Sequence, residues 1–191
     1  HRERGSQNEI VQRGAAAVRA QARHLVRNHD LSRGALRVLV NNVVGAHGIG
    51  IEPQPLRADG TVHTEYAAQL REAYKDWCRA PDVTGRMPWS RLQRAMARAW
   101  LRDGEVFGQM ITGLRHDLDH GTRVPFSLEV FEADLVPMDY ADTNKRILQG
   151  IERNQWGKPT AIHVLKSDVR TLGLPTSADT KRIPWEDRKS V

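Results

Sequence analysis

The chain has 191 residues, enough for one domain or for one domain with an extended arm. Its hydrophobic content of 39% is modest, and no stretch approaches the ~20 apolar residues of a membrane-spanning helix, so we expect no membrane partner. A net charge of +6 suggests an acidic partner such as nucleic acid or another subunit. The single cysteine, Cys78, excludes an intrachain disulfide. The N-terminal segment lacks both an apolar signal-peptide core and an initiator Met, so we expect a trimmed chain.

Helical periodicity fills the first half of the sequence. We predict one helix over residues 1 to about 30, a second ending at Gly45, a third from an N-cap at Thr64 to about Cys78, and a fourth from Pro88 to about Asp103. In the fourth helix, apolar residues at helical spacing are expected to face the core: Leu92, Ala95, Met96, Ala99 and Trp100.

Strand patterns dominate the rest of the chain. The alternating segment 48–53 predicts a short strand between the second and third helices. Segments 105–114 and 126–131 predict a hairpin with an exposed tip over 115–125, and segments 148–154 and 160–166 predict a second hairpin. Residues 167–182 are polar and are expected to be irregular, with a strand restarting at Ile183-Pro184-Trp185.

Helices followed by antiparallel β-hairpins indicate an α+β fold. Within it we expect three parts. Residues 1–30 form an N-terminal helical arm, residues 31–187 form one α+β domain, and residues 188–191 form a tail.

Several short motifs resemble ligand-binding or catalytic patterns. His116 and His120 have the spacing of two metal ligands on a helix, but the adjacent Gly121 and the flanking strands favour a solvated polar loop. Asp103 and Glu105 flank a glycine, which favours a helix-to-strand turn over acid–base chemistry because no partner can be assigned.

Two further patterns are also interpreted structurally. Cys78 lies beside Arg79, which would lower the pKa of a thiol, but no base is identifiable, and a packed or idle cysteine is favoured. The glycines of segment 45–50 follow a helix and open a strand, the reverse of the order in a dinucleotide fingerprint. We therefore expect no catalytic residue, cofactor or metal site.

Arginine is the most informative local signal. Arginines at spacings of three or four residues share helix faces and suit contact with DNA phosphates or with acidic residues of another subunit. The alternative is the solvated side of an amphipathic helix. The positions are Arg19, Arg23, Arg27, Arg33, Arg37, Arg91, Arg94, Arg98 and Arg102.

Taken together and in order, segments over about residues 20–187 resemble the lambda-type portal proteins of tailed phages. No single segment is specific, whereas their ordered combination is. The segments are 22–28 (ARHLVRN), 32–36 (SRGAL), 40–45 (VNNVVG), 48–54 (GIGIEPQ), Trp77, 103–107 (DGEVF), 128–135 (LEVFEADL), 147–164 with its GIE, WGKP and AIHV, and 183–187 (IPWED).

This resemblance implies a structural protein, not an enzyme. The expected assembly is a homo-oligomeric ring, dodecameric in the full-length family, at a capsid vertex of the virion, with the host cytoplasm as its location during assembly. Expected partners are terminase, head-completion proteins, capsid protein and the DNA that passes through the channel. The chain is similar only to the outer wing region and is expected to be truncated before the stem and clip.

Two other functions stay open at this stage. A stand-alone basic DNA-binding module would use the arginine positions on the helices and would show salt-dependent, sequence-indifferent binding. A metal-dependent nuclease would use the segment 116–120 with a divalent cation.

Overall fold

Four helices precede seven strands in the part of the chain described by the structure, a computed structural model that covers residues 7–166, 179–185 and 188–190. The helices are α1 Gln7–Asn28, α2 Asp30–Val44, α3 Thr64–Trp77 and α4 Trp89–Asp103. The strands are β1 Phe107–Thr112, β2 Phe126–Phe131, β3 Ile147–Leu148, β4 Ile151–Arg153, β5 Pro159–Leu165, β6 Thr180–Pro184 and β7 Arg188–Ser190, and a short 3-10 helix covers Ala133–Leu135. The predicted α+β class is confirmed.

The chain divides into two compact units. The first, which we call the sheet unit, comprises His1–Leu36, Ala99–Gln109 and Phe131–Val191. The second, which we call the helical unit, comprises Arg37–Arg98 and Met110–Val130. The division into an arm over 1–30, a domain over 31–187 and a tail over 188–191 stays a prediction.

The sheet unit is built on a four-stranded antiparallel sheet in the order β3-β4-β5-β6. Ile151, Ile162 and Ile183 are paired across three neighbouring strands and so share one face. Ile162 and Ile183 belong to a buried apolar cluster with Phe107, Phe131, Ala133, Val136 and Val164. Ile162 and Val164 face this cluster, and Ala161 and His163 between and beside them are buried as well, so both faces of β5 are covered.

The helical unit packs around Trp77 at the end of α3. Its ring stacks on Phe126 at a centroid distance of 5.5 Å and lies 5.0 Å from the ring of Trp89. The indole Nε1 donates a 2.9 Å hydrogen bond to the backbone carbonyl of Phe126, so the one polar atom of this buried side chain is satisfied.

The strand predicted over 48–53 is absent, although these residues are described. The backbone of Ile49 bonds to the Gln93 side chain instead, with its N–H donating to Oε1 at 2.8 Å and its carbonyl accepting from Nε2 at 3.0 Å. A side-chain amide on α4 thus takes the place of a partner strand, and the alternating pattern follows the surface without joining a sheet.

Two details of the helices also differ from the prediction. His63 caps α3, because its Nδ1 accepts from the backbone N–H of Tyr66 at 3.3 Å, and Thr64 is the first helical residue. Leu92 is buried as expected, but Ala95 and Trp100, which were predicted to face the core, are exposed, and Ala97 is buried. The core-facing stripe of α4 is therefore narrower than the sequence pattern suggested.

The predicted hairpin segments form strands, although these are shorter than expected. Segment 105–114 contains β1, segment 126–131 is β2, and segments 148–154 and 160–166 contain β4 and most of β5. Strand β1 lies between β2 and β7 and pairs antiparallel with β7. Residues 167–178 lie outside the described residues, and β6 begins at Thr180, three residues before the predicted restart.

Candidate functional site

Arg19 anchors α1 within the sheet unit. Its Nη1 donates to Asp134 Oδ1 and its Nη2 to Glu105 Oε1, both at 2.9 Å. The Arg19 side chain is only 7% exposed, whereas the two carboxylates keep 41% and 52% of their surface in solvent. A residue that the sequence placed on an outward-facing stripe is therefore an internal contact of the fold.

Arg23, one turn further along α1, extends this network. Its Nε and Nη2 donate to the two oxygens of Asp103 at 3.0 and 2.8 Å, which is the planar bidentate geometry that guanidinium groups favour. Arg102 donates to the same two oxygens, both at 2.7 Å. Arg23 also bonds to Asp134, so the two arginines of α1 share that carboxylate.

The Asp103 carboxyl stays ionised at physiological pH. Burial alone would raise the pKa of the Asp103 carboxyl, but hydrogen bonds from Arg102 and Arg23 outweigh burial and hold that pKa far below its usual range. The bond to Asp103 raises the pKa of Arg23 despite partial burial. Since a general acid or base must exchange a proton near neutral pH, Asp103 and Arg23 are suited to positioning α1 and not to acid–base chemistry.

Two other predicted arginines cap helix ends within their own units. Arg33 donates to the backbone carbonyl of Arg27 at 2.6 Å and of Val26 at 3.5 Å, near the end of α1. Arg94 donates to Asn41 Oδ1 at 2.9 Å and to the carbonyls of Gly45 and Ala46, just beyond the end of α2. Carbonyls at a helix C-terminus lack intrahelical donors, so both guanidinium groups satisfy orphan acceptors.

The other four predicted arginines are also on the surface. They are Arg27, Arg37, Arg91 and Arg98, and all four are exposed. Within the described ranges, no carboxylate forms an ion pair with any of them. A DNA or subunit contact by these four side chains stays a prediction.

The histidines of segment 116–120 differ from each other. His116 is exposed, as expected for a polar loop. His120 is 7% exposed, and its Nε2 and Nδ1 lie 2.9 Å from the Gly113 carbonyl and 2.8 Å from Ser127 Oγ. The carbonyl can only accept, so Nε2 carries the proton and Nδ1 accepts from the serine hydroxyl. The prediction of a solvated loop is wrong for His120, whose two nitrogens both hold the β1–β2 connection.

The remaining motifs are structural as well. Gly104 has a φ of +87° and its N–H donates to the Trp100 carbonyl at 2.9 Å, so the predicted helix-to-strand turn is confirmed. Burial raises the pKa of the Cys78 thiol, which disfavours the nucleophilic thiolate. Among the described residues, no group of three or more His, Cys, Asp or Glu is placed to hold a metal ion.

Beside the arginine network, the sheet unit contains a pocket of about 480 Å³. Its walls are mainly apolar and come from α1, the end of α4, β1, the segment after the 3-10 helix, and β4. The lining side chains include Val11, Ala15, Val18, Leu101, Phe107, Val136, Met138 and Ile151, and Arg19 and Glu105 also line it. No sequence pattern indicated this pocket, because its walls come from four segments that are far apart in the chain.

The sheet unit therefore combines an arginine–carboxylate network with an adjacent apolar pocket. Comparison with known proteins assigns the chain to a family. A family model described as "Phage portal protein, lambda family" matches residues 1–189. The chain belongs to the lambda family of phage portal proteins. The predicted resemblance to this family is thereby confirmed.

A curated relative is similar over the same range. It is the "Probable portal protein" of Halomonas phage phiHAP-1, 26% identical over 189 residues. The alignment covers 96% of this chain and 35% of that protein, so the chain spans about a third of the relative's length. None of the portal chain's described helices combines the length and the apolar character that a bilayer span requires.

Proposed function

We propose that this chain is the wing portion of a portal ring at a phage capsid vertex, serving DNA packaging, DNA ejection and head–tail joining. The observation that carries the proposal is the match to the portal family over nearly the whole chain. The ring is a homo-oligomer, dodecameric in the full-length form, that is assembled in the host cytoplasm and incorporated in the virion. Terminase, head-completion proteins, capsid protein and the translocated DNA are its partners.

The geometry of the sheet unit supports a scaffold function. A ring that transmits force between a motor and a capsid needs elements that hold their positions without chemistry. The bidentate Arg23–Asp103 pair and the buried Arg19 fix α1 to the sheet unit through charge-assisted hydrogen bonds. We infer that this part of the portal acts as a structural element and carries out no catalysis.

The native particle mass tests the ring. Light scattering after size exclusion is expected to give a closed oligomer whose mass is a whole multiple of 21.6 kDa, and electron microscopy is expected to show annular particles. The mass should not grow with concentration once the ring is closed. A 21.6 kDa monomer at every concentration and salt level, without annular particles, would contradict ring formation by this chain.

DNA binding is a second candidate, favoured by the exposed arginines. Arg91 and Arg98 on α4 are available to phosphates in the free chain. Each phosphate neutralised on duplex DNA adds about 0.9 to the slope of log K against log salt. The double variant Arg91→Ala/Arg98→Ala should therefore flatten this slope by about 2, and Lys75→Ala, which removes an exposed cation elsewhere, should leave it nearly unchanged. Undetectable binding to duplex DNA at low salt would eliminate this candidate.

The nuclease hypothesis has no such support. It required metal ligands in segment 116–120, and both ring nitrogens of His120 are already engaged by the Gly113 carbonyl and the Ser127 hydroxyl. We therefore do not propose it.

A further inference from the structure

The hairpin formed by β4 and β5 carries an exposed tryptophan at a rigid tip. Trp156 is 84% exposed, which is unusual for the side chain with the largest apolar surface. The Asn154 side chain accepts from the backbone N–H groups of Trp156 and Lys158 at 2.9 and 3.0 Å. The backbones of Asn154 and Lys158 also bond to each other at 2.9 Å. The turn is thus ordered before any partner binds, so little entropy is lost on docking.

The apolar pocket of the sheet unit matches such a side chain in size and chemistry. Its volume of about 480 Å³ lies within the ~300–1,000 Å³ of pockets that accept drug-sized molecules, and an indole is smaller than these. Val18 at the pocket is 69% exposed and Val11 is 45% exposed, so the apolar wall of α1 is open to solvent. The pocket can therefore receive a side chain from outside.

The tip is basic, and the arginine network beside the pocket contains more carboxylates than guanidinium groups. The tip carries Arg153 and Lys158, and no acidic residue lies between them. Beside the pocket, four carboxylates surround the three guanidinium groups of the arginine network, which leaves one net negative charge; the carboxylates are Asp103, Glu105, Glu132 and Asp134. The Glu132 side chain, 65% exposed, adds to an acidic rim.

Trp156 does not occupy the pocket of its own chain, because its side chain is 84% exposed. Ile151 lines the pocket at the start of β4, and Asn154 begins the tip three residues later. At ~3.3 Å per extended residue, about 10 Å of strand separates them. The hairpin tip and the pocket are thus two different surfaces of one unit. A head-to-tail contact in a cyclic assembly requires two such different surfaces.

We propose that Trp156 of one copy of the chain inserts into the pocket of the next copy, with Lys158 facing the acidic rim around Glu105 and Asp134. The inference rests on the proposed ring and names a contact that closes it. One repeated contact of this kind joins the base of each β4–β5 hairpin to the tip of its neighbour's hairpin.

Cross-linking between two single-cysteine variants tests the contact directly. In a Cys78→Ser background, one chain carries Gln155→Cys, which keeps Trp156, and the other carries Val18→Cys at the pocket. A short bismaleimide is expected to join the mixed chains into a dimer of twice 21.6 kDa, while either variant alone gives none. Adding Trp156→Ala to the tip variant should lower the yield about tenfold or more, as for a buried aromatic anchor.

The matched control replaces Gln155→Cys by Leu114→Cys, at a 93% exposed position after β1. Equal yields from this control and from the Gln155→Cys pair, or a yield that Trp156→Ala leaves unchanged, would overturn the contact. The native mass separates this failure from failure of the ring. Annular particles without the specific cross-link refute the contact alone, whereas a Trp156-dependent cross-link without annular particles refutes the ring alone.

Discussion

Arg23 and Asp103 form a bidentate ion pair across 80 residues of sequence, and the carboxylate in this pair is fully buried. Asp103 is the last residue of α4 and Arg23 lies in the final third of α1, so the pair fixes α1 to the C-terminal end of α4 within the sheet unit. Arg102 binds the same oxygens from the adjacent position in the chain. The Asp103 carboxylate therefore joins α1 to residues 102–103 at the end of α4, all within the sheet unit.

Removal of this carboxylate should destabilise the protein strongly. In Asp103→Ala, Arg23 and Arg102 lose their shared counter-ion, and the cost expected for breaking a buried pair is about 3 kcal/mol in the free energy of unfolding. Urea unfolding followed by circular dichroism measures it. Glu72→Ala, at an exposed position of α3, is the control and should change the free energy by less than ~0.5 kcal/mol. A loss below ~1 kcal/mol for Asp103→Ala would show that the network is not structural.

The Arg23–Asp103 pair also shows which contacts could not be predicted from the sequence. Helical periodicity placed Arg19 and Arg23 on one face of α1, and the helix and its face are as predicted. Their partners Asp103 and Asp134 lie 80 and 115 residues away, and a local period carries no information about contacts at that separation. The stripe was therefore recognised, but its role in binding internal carboxylates was not.

The dependence on contacts between distant residues also explains why the strand predicted over 48–53 does not form. The β-hairpin around 151–165 was predicted because both strands and their turn are close in sequence. The segment around Ile49 has the same alternation, but it becomes a strand only if a partner strand is available, and Gln93 occupies its backbone groups instead. The pocket and the burial of His120 depend in the same way on residues from several segments.

Stability should fall as the pH drops below neutrality because of His163. Burial lowers the pKa of His163, against the opposing effect of Glu152 at 3.5 Å, so the unfolded chain binds this proton more readily. The contribution of the neutral imidazole is complete above the usual histidine pKa of 6.5 and is lost as the pH falls towards the lower folded value. Urea midpoints between pH 7.5 and 5 should decrease, and His163→Gln should flatten this decrease. His116→Gln, at an exposed position, is expected to leave it intact.

A second loss of stability is expected in stronger acid. The hydrogen bonds from Arg182 hold the pKa of Glu152 at about 2, below its usual 4.5. A depressed carboxyl pKa stabilises the fold above the usual value, and this stabilisation disappears as the pH falls from 4.5 towards 2. Glu152→Gln should therefore narrow the stability difference between pH 5 and pH 3, measured by thermal unfolding at each pH. An unchanged difference would show that the pair with Arg182 is not maintained in solution.

The turn between β3 and β4 offers a change that should stabilise the protein. Gln149 and Gly150 have φ angles of +54° and +72°, as in the two-residue turns that favour Asn-Gly. Gln149→Asn is expected to raise the free energy of unfolding by about 0.5–1 kcal/mol, since asparagine tolerates positive φ better. Gly150→Ala should destabilise, because a Cβ there would lie 3.1 Å from Val136 Cγ1 and 3.2 Å from the Pro137 carbonyl. Urea unfolding is expected to show a higher free energy of unfolding for Gln149→Asn and a lower one for Gly150→Ala.

Three arginines of α4 allow a residue that stabilises the fold to be distinguished from residues that contact DNA or another subunit. Arg94 satisfies Asn41 and two backbone carbonyls beyond the end of α2, so Arg94→Ala should lower the free energy of unfolding by about 1–2 kcal/mol. Arg91 and Arg98 are exposed, and their alanine variants should stay within ~0.5 kcal/mol of the parent. If these two residues instead contact DNA or a neighbouring subunit, their variants change the particle mass or the salt dependence of DNA binding while the unfolding curve stays the same. Equal destabilisation by all three variants would contradict this separation and would assign the whole stripe to the fold.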